Sequence, residues 1–183
     1  MKRRSLVAQE TLNSEPSEVQ ALIAQGLHWV ELGKYADAIA CYDQAIQLQP
    51  QSPAAWYHRS DALANVGQYE QALVGFDQVI QWQPDHCAAW IFRAVVLIHL
   101  QRYPEALQSC DRALTIQPNH PEAWTFRGVA LYYLGKYELA YASYNRATGV
   151  QPRSIWQRFM QLLTRLFNWV KRRTPQNRKW HVD

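Results

Sequence analysis

Six histidines, three cysteines and three evenly spaced arginines are the side chains with which this sequence could do chemistry. His28, His58, His86, His99, His120 and His181 could move protons or ligate a metal. Cys41, Cys87 and Cys110 could bind zinc or form disulfides, but they lie 46 and 23 residues apart, not in the close pairs of zinc and redox motifs. Buried free thiols are the expectation. His86 and His120 stand 34 residues apart in equivalent surroundings, as products of an internal repeat and not as a ligand pair. Arg59, Arg93 and Arg127 keep the same step; stacking between units or pairing with a neighbouring acid is expected of them, ahead of a phosphate ladder. No glycine-rich phosphate loop and no nucleophile elbow occurs. An enzyme would have to hide its site among His58, Asp61 and His99. The expectation is a protein that is not an enzyme, with no catalytic residue, metal or cofactor.

What positions these residues is a period of 34. Proline recurs at Pro50, Pro84, Pro118 and Pro152, alanine at Ala38, Ala72, Ala106 and Ala140, and tyrosine at Tyr35, Tyr69, Tyr103 and Tyr137. Tryptophan follows at Trp56, Trp90 and Trp124, with Leu22 in the matching slot of the first unit. Within a unit, small and apolar residues fall three and four apart, as in Trp90, Ala94, Leu97 and Leu100, then Ala106, Cys110, Ala113 and Leu114. That spacing gathers them on one face of a helix. Gly33, Gly67 and Gly135, with Gln101 in the third unit, sit where the first helix should close in a left-handed turn. The tyrosine two residues later can wedge between helices, the alanine permits close approach, and the proline ends the second helix. Each unit is a helical hairpin that buries its apolar face only by stacking on the next.

The residue types, their order and the period resemble the tetratricopeptide repeat (TPR) family. The units run 19–52, 53–86, 87–120 and 121–154, which is 136 of 183 residues. The fourth shows the pattern well, with Trp124, Arg127-Gly128, Leu131, Leu134-Gly135, Tyr137, Ala140, Tyr144, Ala147 and Pro152. The resemblance implies an all-α fold, a right-handed superhelical solenoid of four TPR helical hairpins, with the first helix of each lining a concave, ligand-binding side. The groove positions carried onto this chain are Ile23, Leu27 and Glu31; Tyr57, His58, Asp61 and Asn65; Ile91, Phe92, Val95 and His99; and Thr125, Phe126, Val129, Tyr132 and Tyr133. Family members that grip a peptide's terminal carboxylate use Lys, Arg and Asn there. Here Ile23, Leu27, His58, Ala88 and Phe92 stand instead, so a chaperone-tail receptor is not expected. An apolar, aromatic lining suits a helix or extended segment of a protein partner.

The charge is uneven. Residues 19–152 carry a net charge of −3, residues 153–183 a net charge of +7. The segment 155–173 contains no Pro or Gly, and at helical spacing Trp156, Phe159, Met160, Leu163, Leu166, Phe167 and Val170 form one stripe opposite a cationic arc. It reads as an amphipathic capping helix over the solenoid's last unit. A compatible reading is an anchor to an anionic membrane surface through Arg158, Arg165, Trp169, Lys171, Arg172 and Arg173. Nucleic-acid binding ranks last, since the aromatics lie opposite the charges. A shoulder of Leu162 and Trp169 could equally pair two copies. Residues 1–18 read as a partly disordered arm and 174–183 as a flexible tail. After Lys2-Arg3-Arg4 the apolar run is only Leu6-Val7-Ala8, too short for a signal peptide. The expected function is a scaffold or adaptor that assists assembly of a multi-protein complex. The expected location is the cytoplasm, with the cytoplasmic face of a membrane as its peripheral variant.

Overall fold

A computed structural model describes residues 17–149. Eight helices follow one another among them: α1 (Ser17–Glu31), α2 (Tyr35–Leu48), α3 (Pro53–Asn65), α4 (Tyr69–Trp82), α5 (Cys87–His99), α6 (Tyr103–Ile116), α7 (Pro121–Tyr133) and α8 (Tyr137–Thr148). They form the four hairpins the period predicts. The first helix opens at Ser17, two residues ahead of the repeat boundary, with Glu18 in the first turn facing the unpaired backbone N–H groups. The expected basic helix over 155–173, with its six candidate contact residues, lies outside the described residues, as do the tail 174–183 and residues 1–16.

Local chemistry sets the helix ends. Ser52 is extended and its Oγ accepts from the Ala55 N–H at 3.2 Å, while Pro53 fills the first helical position, where no N–H is needed. His86 does the same work for α5, Nδ1 accepting from the Ala89 N–H at 3.1 Å. Each hairpin turn repeats one hydrogen-bond pattern. Gly67 N–H donates to Ala64 O at 3.0 Å and Gln68 N–H to Leu63 O at 2.9 Å, which closes the helix over a left-handed residue. Gly33, Gly67 and Gly135 hold φ of 71°, 79° and 75° there, and Gln101 holds 59°. A side chain in that region costs roughly 1–2 kcal/mol relative to glycine.

The core runs along the stack. Ala38, Ala72, Ala106 and Ala140 are all buried, and the largest wholly buried rings are Tyr42 and Phe76. Two glycines make room for rings: a Cβ on Gly26 would strike the ring of Tyr42, and one on Gly128 the ring of Tyr144. Two of the recurrent tyrosines reach beyond their own hairpin. Tyr69 stacks on His99 at 4.5 Å and Tyr103 on Tyr133 at 4.7 Å, each reaching the last residue of the next unit's first helix.

The helix contacts also define the curvature. Successive first helices touch (α1 with α3, α3 with α5, α5 with α7), whereas successive second helices among the described residues do not. A stack whose first helices crowd while its second helices splay is concave on the first-helix side.

Candidate functional site

Tyr57, Asp61 and Asn65 are four residues apart on α3 and therefore on one side of the helix, the side that the family resemblance assigns to the concave face. Tyr57 stands at the centre of an aromatic group. Its ring meets Phe92 edge-on at 5.8 Å and Phe76 at 5.9 Å, with His58 at 5.3 Å and His86 at 5.1 Å. Phe76 stacks on Phe92 at 6.1 Å, so a buried ring of α4 supports the groove residues from behind. Burial pushes the Tyr57 phenol up to about 12, helped by the charges of Asp61 and of Glu122 in the first turn of α7. His58 stacks on Tyr42 at 5.9 Å, and burial, then the proximity of His86, lowers its pKa below the usual 6.5. His58 is therefore neutral at pH 7.

Asp61 is the anomaly in this group. It is half-buried, and burial pushes its carboxyl group above the ordinary 3.8. Among the described residues, no arginine, lysine or histidine pairs with it. Its one polar side-chain contact there is the Asn65 amide at 3.5 Å, and that amide donates more closely, at 2.9 Å, to the Asp61 backbone carbonyl.

A second aromatic group lies at the far end of the face. Tyr132 and Tyr133 are 50% and 58% exposed, although they lie on the concave helix α7. Tyr133 lies flat on Tyr103, and Tyr132 meets Tyr133 and Tyr137 edge-on at 5.8 and 5.3 Å. Between the two groups, Phe92, Val95, Phe126 and Val129 are half-buried. Ile91, by contrast, is 2% exposed and belongs to the core. Its place in the groove list is corrected: its side of α5 packs with Ala113, Leu114 and Ala123. The triad of His58, Asp61 and His99 does not assemble either. His99 lies flat on Tyr69, and no hydrogen bond or ring contact joins it to the other two. No group of three His, Cys, Asp or Glu among the described residues is arranged to hold a metal ion, and no described helix is long and apolar enough to cross a membrane.

The arginine series faces elsewhere and pairs with neighbouring acids, the second of the two roles expected of it. Arg59, Arg93 and Arg127 donate through Nε to Asp43, Asp77 and Asp111 of the preceding unit at 2.5, 2.6 and 2.7 Å. Each guanidinium also lies 5.5–5.9 Å from the tryptophan three residues before it. Each of those indoles donates to the carbonyl of the proline ending the previous unit, at 2.8–2.9 Å. The aspartate partners were legible as an offset of 16 residues repeated three times.

Three family models match the chain: one described as TPR repeat over residues 26–67, and two as tetratricopeptide repeat over residues 64–129 and 121–154. No curated protein matches at a significant level. Among solved structures, MamA (residues 41 to the end) from Desulfovibrio magneticus RS-1 superposes with a TM-score of 0.68 at 22% identity, over 75% of this chain and 78% of that one. A thermophilic TPR protein from Thermus thermophilus gives 0.65 at 21%, over 73% and 74%. The first TPR of Spaghetti (RPAP3), bound to the HSP90 peptide SRMEEVD, gives 0.65 at 22%, over 66% and 96%. At these identities the likeness is one of fold.

Proposed function

The chain belongs to the tetratricopeptide repeat family, and from that premise we propose that it is a non-catalytic adaptor whose concave groove takes a helix or extended segment of a protein partner. The observation that carries this reading is the lining of the first helices. Half-buried Phe92, Val95, Phe126 and Val129 run between the Tyr57 group and the exposed Tyr132–Tyr133 pair, with no arginine or lysine among them. An apolar strip flanked by tyrosines is a surface that a partner's apolar side chains can dry and fill. Support of a coarser kind comes from the RPAP3 neighbour, a TPR fold with a peptide bound. That peptide is acidic, and the groove here lacks cations to hold its carboxylates.

Val95→Arg tests the reading. It puts a long charge in the middle of the strip, while Val74→Arg puts the same charge on α4, where Val74 is 58% exposed on the outer layer. A protein captured from extract by the wild type should be lost with Val95→Arg and kept with Val74→Arg, at equal melting temperatures. Capture that survives both changes removes the groove from the function.

The exposed end of the stack favours a second role for the chain beyond α8. Tyr137 and Tyr141, one turn apart on α8, are 54% and 64% exposed, which leaves an apolar surface at the last described helix. At helical spacing the sequence of residues 155–173 gives an apolar stripe. We assign them the role of covering that surface, with an anionic membrane as the alternative occupant of their cationic side. Flotation with anionic liposomes, comparing wild type with Arg158→Glu, Arg165→Glu, Lys171→Glu and Arg172→Glu combined, separates the two. Loss of flotation at an unchanged melting temperature identifies an anchor, and no flotation of either identifies a cap alone.

A further inference from the structure

The unpaired Asp61 names the chemistry of the segment the groove would take. We propose that the groove selects a segment with one lysine or arginine set among apolar residues, the cationic side chain seating between Asp61 and the ring of Tyr57. The inference rests on the groove reading above and sharpens it.

Three observations carry it. First, the carboxylate is half-buried on the concave face and accepts no charge-assisted hydrogen bond from the described residues; Asn65 at 3.5 Å is its whole side-chain partnership. A carboxylate held out of water without a cation weakens a fold, so folds keep such groups where a ligand completes them. Second, the neighbours suit a cation. Tyr57 presents a ring four residues before Asp61, and His58 is neutral, so neither repels a positive charge. Third, the arginines among the described residues are committed elsewhere. The arginines of α3, α5 and α7 reach away to Asp43, Asp77 and Asp111; Arg102 is held by Glu105 at 2.6 Å, and Arg146 lies 4.8 Å over Trp124. The charged side chains at the concave positions are Glu31 and Asp61, both acidic, and Glu122 in the first turn of α7 is near enough for its charge to act on Tyr57. An acidic tail peptide would meet repulsion here. A lone cation on an apolar segment would meet a partner, and the apolar residues beside it would meet Phe92, Val95 and Phe126.

The experiment is selection from a random peptide phage library on the full chain, run in parallel on wild type and Asp61→Asn. Binders that survive Val95→Arg are set aside as lying outside the groove. The expected result is that groove binders from the wild type share one Lys or Arg flanked by apolar positions. Changing that residue to norleucine should weaken a selected peptide roughly tenfold, on the scale of one charge-assisted hydrogen bond. Selection on Asp61→Asn should lose the basic position and keep the apolar ones. Its melting temperature should not fall, whereas loss of a structural carboxylate would lower it. Groove binders with no shared basic residue, acidic groove binders, or a basic position that persists with Asp61→Asn overturn the inference and leave the groove reading intact. A selection that yields no binder sensitive to Val95→Arg overturns both.

Discussion

Arg59 and Asp61 leave α3 two residues apart, and their surroundings treat them in opposite ways. Arg59 points toward the previous unit, donates to Asp43 at 2.5 Å and lies over Trp56. Asp61, at a position the repeat resemblance assigns to the groove, has no cation among the described residues. Arg93 and Arg127 repeat the first arrangement along the stack, each bonded to an aspartate of the unit behind and to a serine of its own second helix. A hairpin cannot bury its face alone, so the interface between units must be both apolar and specific in register. An arginine bonded to the unit behind, and to a serine of its own second helix, sets that register. The groove carries no such duty and can hold unmatched groups for a ligand to complete.

The comparison can be broken most severely at Phe76, which belongs to both regions. It is wholly buried in the stack, and it meets Tyr57 and Phe92 from behind. Phe76→Ala should lower stability by roughly 3–5 kcal/mol in urea unfolding, with a cavity that lets Tyr57 and Phe92 move. Arg93→Ala attacks the interface alone. It strips Asp77 and the buried Ser109 of a shared donor and uncovers Trp90. A loss of about 1–3 kcal/mol by the same measurement is expected, with groove binding preserved by fluorescence titration of a selected peptide.

The second unit sharpens the picture, because its hydroxyl has changed helices. Ser109 and Ser143 each accept from the unit's own arginine, but the matching position in the second unit is Gly75, and the hydroxyl sits on the first helix as Ser60. A Cβ at Gly75 would strike Ser60 Oγ, which itself donates to Trp56 O at 2.7 Å. Gly75→Ser should therefore cost about 1–3 kcal/mol. Adding Ser60→Ala restores the arrangement of the third unit and should recover most of that loss. A double-mutant cycle with a favourable coupling checks it.

The smallest effect belongs to Asp61 and has the opposite sign. Its folded pKa lies above the unfolded value of 3.8, so the charged form weakens the fold at neutral pH. Asp61→Asn should melt at the same or a higher temperature than wild type at pH 7. The advantage should shrink as pH falls through the raised folded value and vanish below 3.8, where the carboxyl is protonated in both states. A lower melting temperature at pH 7 would mean that the carboxylate is structural and that the contrast with Arg59 is wrong.

Much of the architecture was legible before any coordinates. Four residue types in one period of 34 demand repeated hairpins, because side chains at a fixed step must meet the same neighbours in every unit. Helix ends followed from Gly33, Gly67 and Gly135, whose left-handed turns cost least without a side chain. The sequence also placed Tyr57, Asp61, Phe92 and the tyrosine pair on the first helices, since a helix face is a matter of spacing. Tertiary structure alone decided what each side chain meets. Ile91 and Val95 lie one turn apart on α5, yet the first is core and the second half-buried, because the crossing of α5 with its neighbours sets the edge of the interface. His99 was placed on a first helix by its spacing, but its stacking on Tyr69, a residue 30 positions earlier, was not legible. Charge pairing was decided the same way. Every arginine and aspartate is equally visible in the sequence, but which of them find one another depends on distances across the stack, and only those distances leave Asp61 without a partner.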